Sequence, residues 1–481
     1  MTQENRSGRP QGRPPEGDSR LTRTEVQLRG PFLLFFISSV IWLLAASVLG
    51  VIATLQQGSL VGGPFRDCEI LTYGHVAAAQ HNLFVYGWGF NAFFALNLWL
   101  LSQLGRFELR NGWLATLGGV FWNLALTYGV VQIFAGNQTG FALLEFPREV
   151  GPVLAVAFLL AGFWPIVAFA RRPTGHTFAS QWFVVGASFA FPLTYLLAQL
   201  LILWQPASGV VQAIAHSWFV SNLLHLWFGA SALAAVYYFL PKVLARTISG
   251  YYLAPVAFWS FILFAGWTGP AALIGAPVPL WLQSVGVVAG AMLIIPVIIT
   301  AINFHGTLST EGGWSRAWND TTLRFVTFGA VAFTIFGVLN AVFSFRSYNA
   351  VTRFTSFAAG QEQLLTYAFA TMVLFGAAYF VLPRLTGSLW PSAKLVHVHF
   401  WATALGAVAS IVALLVGGWE NGKQLADASV SFQQIAQSTT VWNYVLSVSA
   451  VLLLVGHLAF ALNAFGMILK SSAPASAGRH D

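Results

Sequence analysis

Two glutamines flank a glutamate at Gln361-Glu362-Gln363, at the head of an apolar stretch that runs from Phe357 to Thr386. At about 100° per residue, positions i and i+2 of a helix point roughly 200° apart. The two amides therefore leave opposite sides of the helix, a spacing suited to holding something on each side. Amides donate and accept hydrogen bonds but are poor ligands for iron and copper. Ten histidines are the stronger candidates: His75, His81, His176, His216, His225, His305, His397, His399, His457 and His480. His225 follows Ser221 by one turn on the same helical face. His75 and His81 are six apart, which does not bring them to one face. His457 is an ionisable group inside an apolar stretch, with no partner evident in the sequence. The single cysteine, Cys68, excludes a disulfide framework and a thiolate metal cluster within the chain. No phosphate loop, dinucleotide fingerprint, zinc spacing or nucleophile elbow is present.

The elements that must position these groups are membrane helices. The chain has 481 residues, 57% hydrophobic and only 8% charged, against about a quarter charged in an ordinary soluble domain. Hydrophobic windows predict twelve spans, at 31–55, 75–104, 112–135, 150–170, 178–204, 212–240, 253–274, 281–303, 324–345, 361–383, 393–418 and 439–469. Pro383 and Arg384 are expected to stop the tenth. Residues 1–26 read as a disordered basic tail, 27–470 as the membrane domain and 471–481 as a second tail. With the N-terminus inside, only Arg66, Arg148, Arg346, Arg353 and Lys423 fall in outer loops, and the other eighteen Lys and Arg residues fall inside. This bias predicts both termini on the cytoplasmic side. The net charge of +8 is then a topology signal, and no nucleic-acid partner is needed to explain it. No removable signal peptide is expected.

Several strings lie in a telling order: Tyr73-Gly74-His75 through Gly87-Trp88-Gly89, Tyr237-Tyr238-Phe239-Leu240-Pro241-Lys242, Trp267-Thr268-Gly269-Pro270, Phe375-Gly376-Ala377 with Tyr379, and His399-Phe400-Trp401. Together they resemble the catalytic subunit I of the cbb3-type (C-family) heme-copper oxidases, and more distantly the nitric oxide reductases. The likeness runs from the second predicted span to the eleventh. It implies an all-α integral membrane protein, a bundle of twelve helices in three arcs, in a bacterial-type inner membrane. It also implies a respiratory complex with other membrane or cytochrome subunits around it.

The family's chemistry uses six histidines. One from helix two and one from helix ten clamp a low-spin heme, a second from helix ten binds the active-site heme, and three from helices six and seven hold copper. Laid without gaps on the anchors, the helix-two position falls on Gln80, one residue before His81. The helix-ten pair falls on Gln361 and Gln363. The copper positions fall on Ser221, Ala271 and Ala272, and the tyrosine usually cross-linked near the copper falls on Ala265. The resemblance therefore implies a degenerate subunit with no catalytic residue, no metal and no cofactor, serving as a structural or assembly component. His81, turned about 100° from the required face, and His225 are the surrogate ligands through which a heme b could be kept, making the chain an oxidase or nitric oxide reductase subunit. A proton or small-molecule transporter on the same scaffold is the further alternative. Glu362 is expected at the outer interface, hydrated.

Overall fold

The computed structural model describes residues 23–58, 68–173, 175 and 177–472. Most of the N-terminal tail, residues 473–481 of the C-terminal one, His176 and His480 lie outside them. Among the described residues, twelve helical stretches are long and apolar enough to cross a membrane. They are Thr24–Gln57, Tyr73–Gly105, Gly112–Phe134, Val150–Ala170, Ala179–Trp204, Val210–Leu244, Tyr251–Leu273, Leu280–Leu308, Thr321–Phe343, Phe357–Thr386, Ala393–Leu425 and Phe432–Lys470. We number them as spans one to twelve. Among the described residues there is no strand.

The ends differ from the hydropathy reading where local chemistry extends or breaks a helix. The chain is already helical at Arg23, the first described residue and inside the expected tail, and Glu25 pairs there with Arg384 at the end of span ten. Span ten runs through Pro383 and ends at Gly387, whose φ of +67° favours glycine. Span four is two helices, Val150–Ala161 and Trp164–Ala170, parted at Gly162-Phe163 ahead of Pro165. Spans nine and eleven start on side-chain caps, Asp320 accepting from the Leu323 N–H at 2.9 Å and Ser392 from the Leu395 N–H at 3.3 Å.

Every fourth span is an inner one. Spans two, six and ten are 94% buried across their apolar windows, against 33–50% for the other nine. Each inner span loosens into π-helical turns at mid-length, over Leu83–Gly89, Leu223–Gly229 and Leu364–Thr371. In each case the π stretch begins directly after an amide side chain, Asn82, Asn222 or Gln363. Asn82 and Asn222 donate back to the carbonyls of Ala78 and Trp218, at 2.8 and 2.7 Å. A π turn lodges one extra residue and often marks a functional site. The repeat lies in burial and backbone geometry, and the residue letters scarcely show it.

Candidate functional site

The three inner spans carry nearly all the candidate residues. Gln80 and His81 precede the π turns of span two, Ser221 and His225 bracket the start of those in span six, and Gln361 and Gln363 precede those of span ten.

Gln80 and Gln363 line one cavity of about 280 Å³. Its walls come from Leu43, Ala46, Ser47 and Gly50 of span one, Gln80, His81 and Phe84 of span two, and Ala359, Glu362, Gln363, Thr366 and Tyr367 of span ten. Leu414 of span eleven and Ala450, Leu453 and His457 of span twelve close it. Gln361 is not part of this lining, in keeping with the opposed directions of the two amides. His81 borders the same cavity as Gln80. Glu362 lines the cavity too, which places it inside the bundle as well as near the end of a span. His457 has two partners that no local pattern could reveal, since they lie 410 and 90 residues away.

Those partners fix its ring. Tyr367 O–H donates to His457 Nε2 at 2.6 Å, His457 Nδ1–H donates to Ser47 Oγ at 2.6 Å, and Ser47 donates on to the Leu43 carbonyl at 2.6 Å. Both imidazole nitrogens are used, so His457 has no lone pair to offer a metal. His399 is similar on one side only: its Nδ1 meets the Tyr379 hydroxyl at 2.8 Å, while its Nε2 is buried without a partner among the described residues.

The copper positions form a second locus. Ser221 Oγ donates to Thr268 Oγ1 at 2.5 Å, and Thr268 donates to the Ala265 carbonyl at 3.1 Å. Ala271 and Ala272 sit in a 3₁₀ turn, Gly269–Leu273, pinned by Asn349 donating to the Ala271 carbonyl at 2.8 Å. His225 Nδ1 donates to the Ser221 carbonyl at 2.8 Å, and its Nε2 is buried with no partner among the described residues. The ring lies 5.6 Å from that of Phe336. Next to it the π turns of spans six and ten pack directly together, and Phe261, Phe333, Phe336 and Phe369 form a ring-to-ring chain with centroid distances of 4.7–6.3 Å.

Copper and heme can be tested against these donors. Copper held by imidazoles needs several nitrogens on one point. Alanine supplies none, and among the described residues no three His, Cys, Asp or Glu side chains converge. A six-coordinate low-spin heme needs two strong axial donors on opposite faces. The cavity offers one free imidazole, His81, and two amides. Its volume, about 280 Å³, falls just below the roughly 300–1,000 Å³ of pockets that hold drug-sized molecules. The residues present do not fit the copper or the low-spin heme.

Glu145, in the loop before span four, is buried, 9% exposed. Asn82 Nδ2 donates to its Oε2 at 2.8 Å, and Tyr86 O–H holds the neighbouring Leu143 carbonyl at 2.6 Å. Burial strips the carboxylate of water and pushes its pKa up to about 7, although the Asn82 amide pulls the other way. A carboxyl whose folded pKa is raised binds more protons folded than unfolded between about pH 4.5 and 7, so stability falls as pH rises through that window. The shift corresponds to about 3 kcal/mol. Glu145→Gln keeps an acceptor for Asn82 and removes the charge. Thermal melts at pH 5 and pH 8 should show the wild type losing stability between them and the variant holding its midpoint. An equal fall in both would place the titrating group elsewhere.

The family model described as "Cytochrome C and Quinol oxidase polypeptide I" matches residues 31–452. The chain belongs to this family. A "Cytochrome c oxidase subunit 1 homolog" of Azorhizobium caulinodans is 24% identical over 460 residues, covering 90% of this chain and 81% of the relative. The "Cbb3-type cytochrome c oxidase subunit CcoN1" of Stutzerimonas stutzeri is 24% identical over 400 residues, 81% of this chain and 82% of that one. A solved heme-copper terminal oxidase dimer superposes with a TM-score of 0.70 at 15% identity, covering 95% of this chain and 85% of its own. That likeness establishes the heme-copper oxidase fold. The subunit I scaffold is thus the frame on which the glutamines, the serine and the alanines stand.

Proposed function

We propose that this chain is a non-catalytic, degenerate subunit I of the cbb3-type oxidase class, serving as a structural or assembly subunit of a respiratory membrane complex. One observation carries the reading: the chain's own residues, at the positions that the resemblance assigns to hemes and copper, are Gln80, Gln361, Gln363, Ser221, Ala271 and Ala272. A scaffold that keeps its helices and loses its imidazoles has no means of gripping the metals that would perform oxygen chemistry. The relatives' names describe subunits, which supports a role beside other membrane or cytochrome subunits. The eighteen-to-five distribution of Lys and Arg supports a bacterial-type cytoplasmic membrane with both termini inside.

A pyridine hemochrome assay on purified protein tests it. The reading expects no heme band and a featureless reduced-minus-oxidised spectrum. About one heme per chain would overturn it in favour of a second reading, a subunit that retains a heme b through a shifted ligand. That second reading is supported by the unused Nε2 of His225 and by His81 in the cavity wall. Loss of the signal in His81→Ala or in His225→Ala would then name the ligand.

A further inference from the structure

Spans nine and eleven begin on the same side of the bundle, at Thr321 and Ala393. Near these starts Phe325 and Phe328 of span nine meet Phe400 of span eleven edge to face, at 5.0 and 6.4 Å. The short helix Gly313–Asn319, which leads into span nine, lays Trp318 across the junction, 6.3 Å from Phe400 and 5.8 Å from Trp401. Trp318 is 57% exposed and Trp401 37%, so these rings form a shelf open to the membrane surface, the level at which tryptophan is enriched.

Arg324 lies on that shelf. Its guanidinium carbon stands 5.4 Å from the Phe400 centroid and 5.8 Å from that of Trp318, and its Nε donates to the Trp318 carbonyl at 2.8 Å. The two terminal nitrogens have no partner among the described residues and are not sealed from the surface. Asp320, the acid nearest in sequence, accepts from the Leu323 N–H at 2.9 Å and makes no ion pair with Arg324 within 4.0 Å. Lys394 and His397 are exposed on the face of span eleven that carries Trp401, and the His397 ring is 6.3 Å from that indole. The positive ends of two helix dipoles, those of spans nine and eleven, point to the same place.

From this head two apolar stripes run along the outer surface at the three-and-four spacing of one helical face. Val331, Ile335 and Val338 follow Arg324 on span nine, and Leu405, Val408 and Val412 follow Trp401 on span eleven, all exposed. A fork of free guanidinium donors suits phosphate oxygens. Aliphatic stripes leading away from it suit acyl chains, which a free phosphate would leave unused. The surplus of positive charge favours a headgroup with a net negative one.

We propose that the junction of spans nine and eleven binds an anionic phospholipid, its phosphate on the free nitrogens of Arg324 beside Lys394 and its acyl chains along the two stripes. None of these residues belongs to the cavity or to the heme and copper positions, so the outcome is separate from the functional reading above.

The full chain, stripped of co-purified lipid in detergent, is titrated with dioleoylphosphatidylglycerol or dioleoylphosphatidylcholine, which share their chains and differ in net charge. Native mass spectrometry counts the lipids retained. Phosphatidylglycerol should be retained at concentrations at least about fivefold below those that phosphatidylcholine needs. Arg324→Gln should weaken phosphatidylglycerol by about fivefold, the worth of one cation near the membrane surface, and leave phosphatidylcholine unchanged. Lys394→Gln, at an exposed position, carries the same test should Arg324→Gln fail to fold. Arg110→Gln, an exposed arginine in the loop before span three, should change nothing. Equal retention of the two lipids, or phosphatidylglycerol binding that both Arg324→Gln and Lys394→Gln leave intact, would overturn the proposal. So would displacement of the lipid by an equal concentration of inorganic phosphate, which would mark a free-anion site.

Discussion

Trp227→Ala is expected to destabilise the protein by about 3–5 kcal/mol, the range for removing a large buried aromatic. Trp227 is 1% exposed and stacks on Phe90 of span two at 4.7 Å with 14° between the planes. Phe158 of span four and Phe191 of span five lie 5.4 and 5.8 Å from it, and Trp122 of span three closes on Phe90 at 4.9 Å. One ring of span six thus ties spans two, four and five together, and through Phe90 reaches span three. Lipid tails are as apolar as these side chains, so packing and dispersion, more than exclusion from water, hold such a cluster. The indole N–H is buried without an acceptor among the described residues. Trp227→Phe discards that unsatisfied donor along with part of the ring and should cost far less. Detergent-melt midpoints of the two variants check this, and equal losses would show that the N–H is satisfied or that the ring stack is dispensable.

Gly286→Ala should cost about 1–3 kcal/mol or more. A Cβ there would stand 2.2 Å from the Ala271 nitrogen, 2.8 Å from the Pro270 carbonyl carbon and 3.0 Å from the Ala271 Cα. All three are backbone atoms, so no rotamer change relieves the clash. The turn they belong to is pinned by Asn349 from the other side. Span eight must therefore move off the turn that carries Ala271 and Ala272. Gly30→Ala is the control, since nothing lies within 4 Å of its added Cβ. The comparison is a melt of both variants. A Gly286→Ala protein as stable as Gly30→Ala would mean that the two segments do not touch this closely.

The span count and the inner helix Phe357–Thr386 were legible because hydropathy acts over about twenty residues and tolerates local irregularity. Helix ends were less so: helix is present within the expected N-terminal tail, where Glu25 meets Arg384 from 359 residues away. At the site, the opposed glutamines were readable from helical period, and the structure brings Gln363 and not Gln361 beside Gln80. His81, expected about 100° around the helix from Gln80, borders the same cavity, whose wall spans both residues of span two. The satisfaction of His457 by Ser47 and Tyr367, and the burial of Glu145 against Asn82, join segments far apart in sequence. No window over the chain could have paired them.

If this subunit I scaffold holds no redox metal, as proposed, elemental analysis of protein purified from a host able to make hemes and load copper sites will show it. Iron and copper should each come out far below one atom per chain, unchanged in His81→Ala and His225→Ala. Stoichiometric iron that disappears with either histidine, or stoichiometric copper retained through a chelator wash, would contradict it.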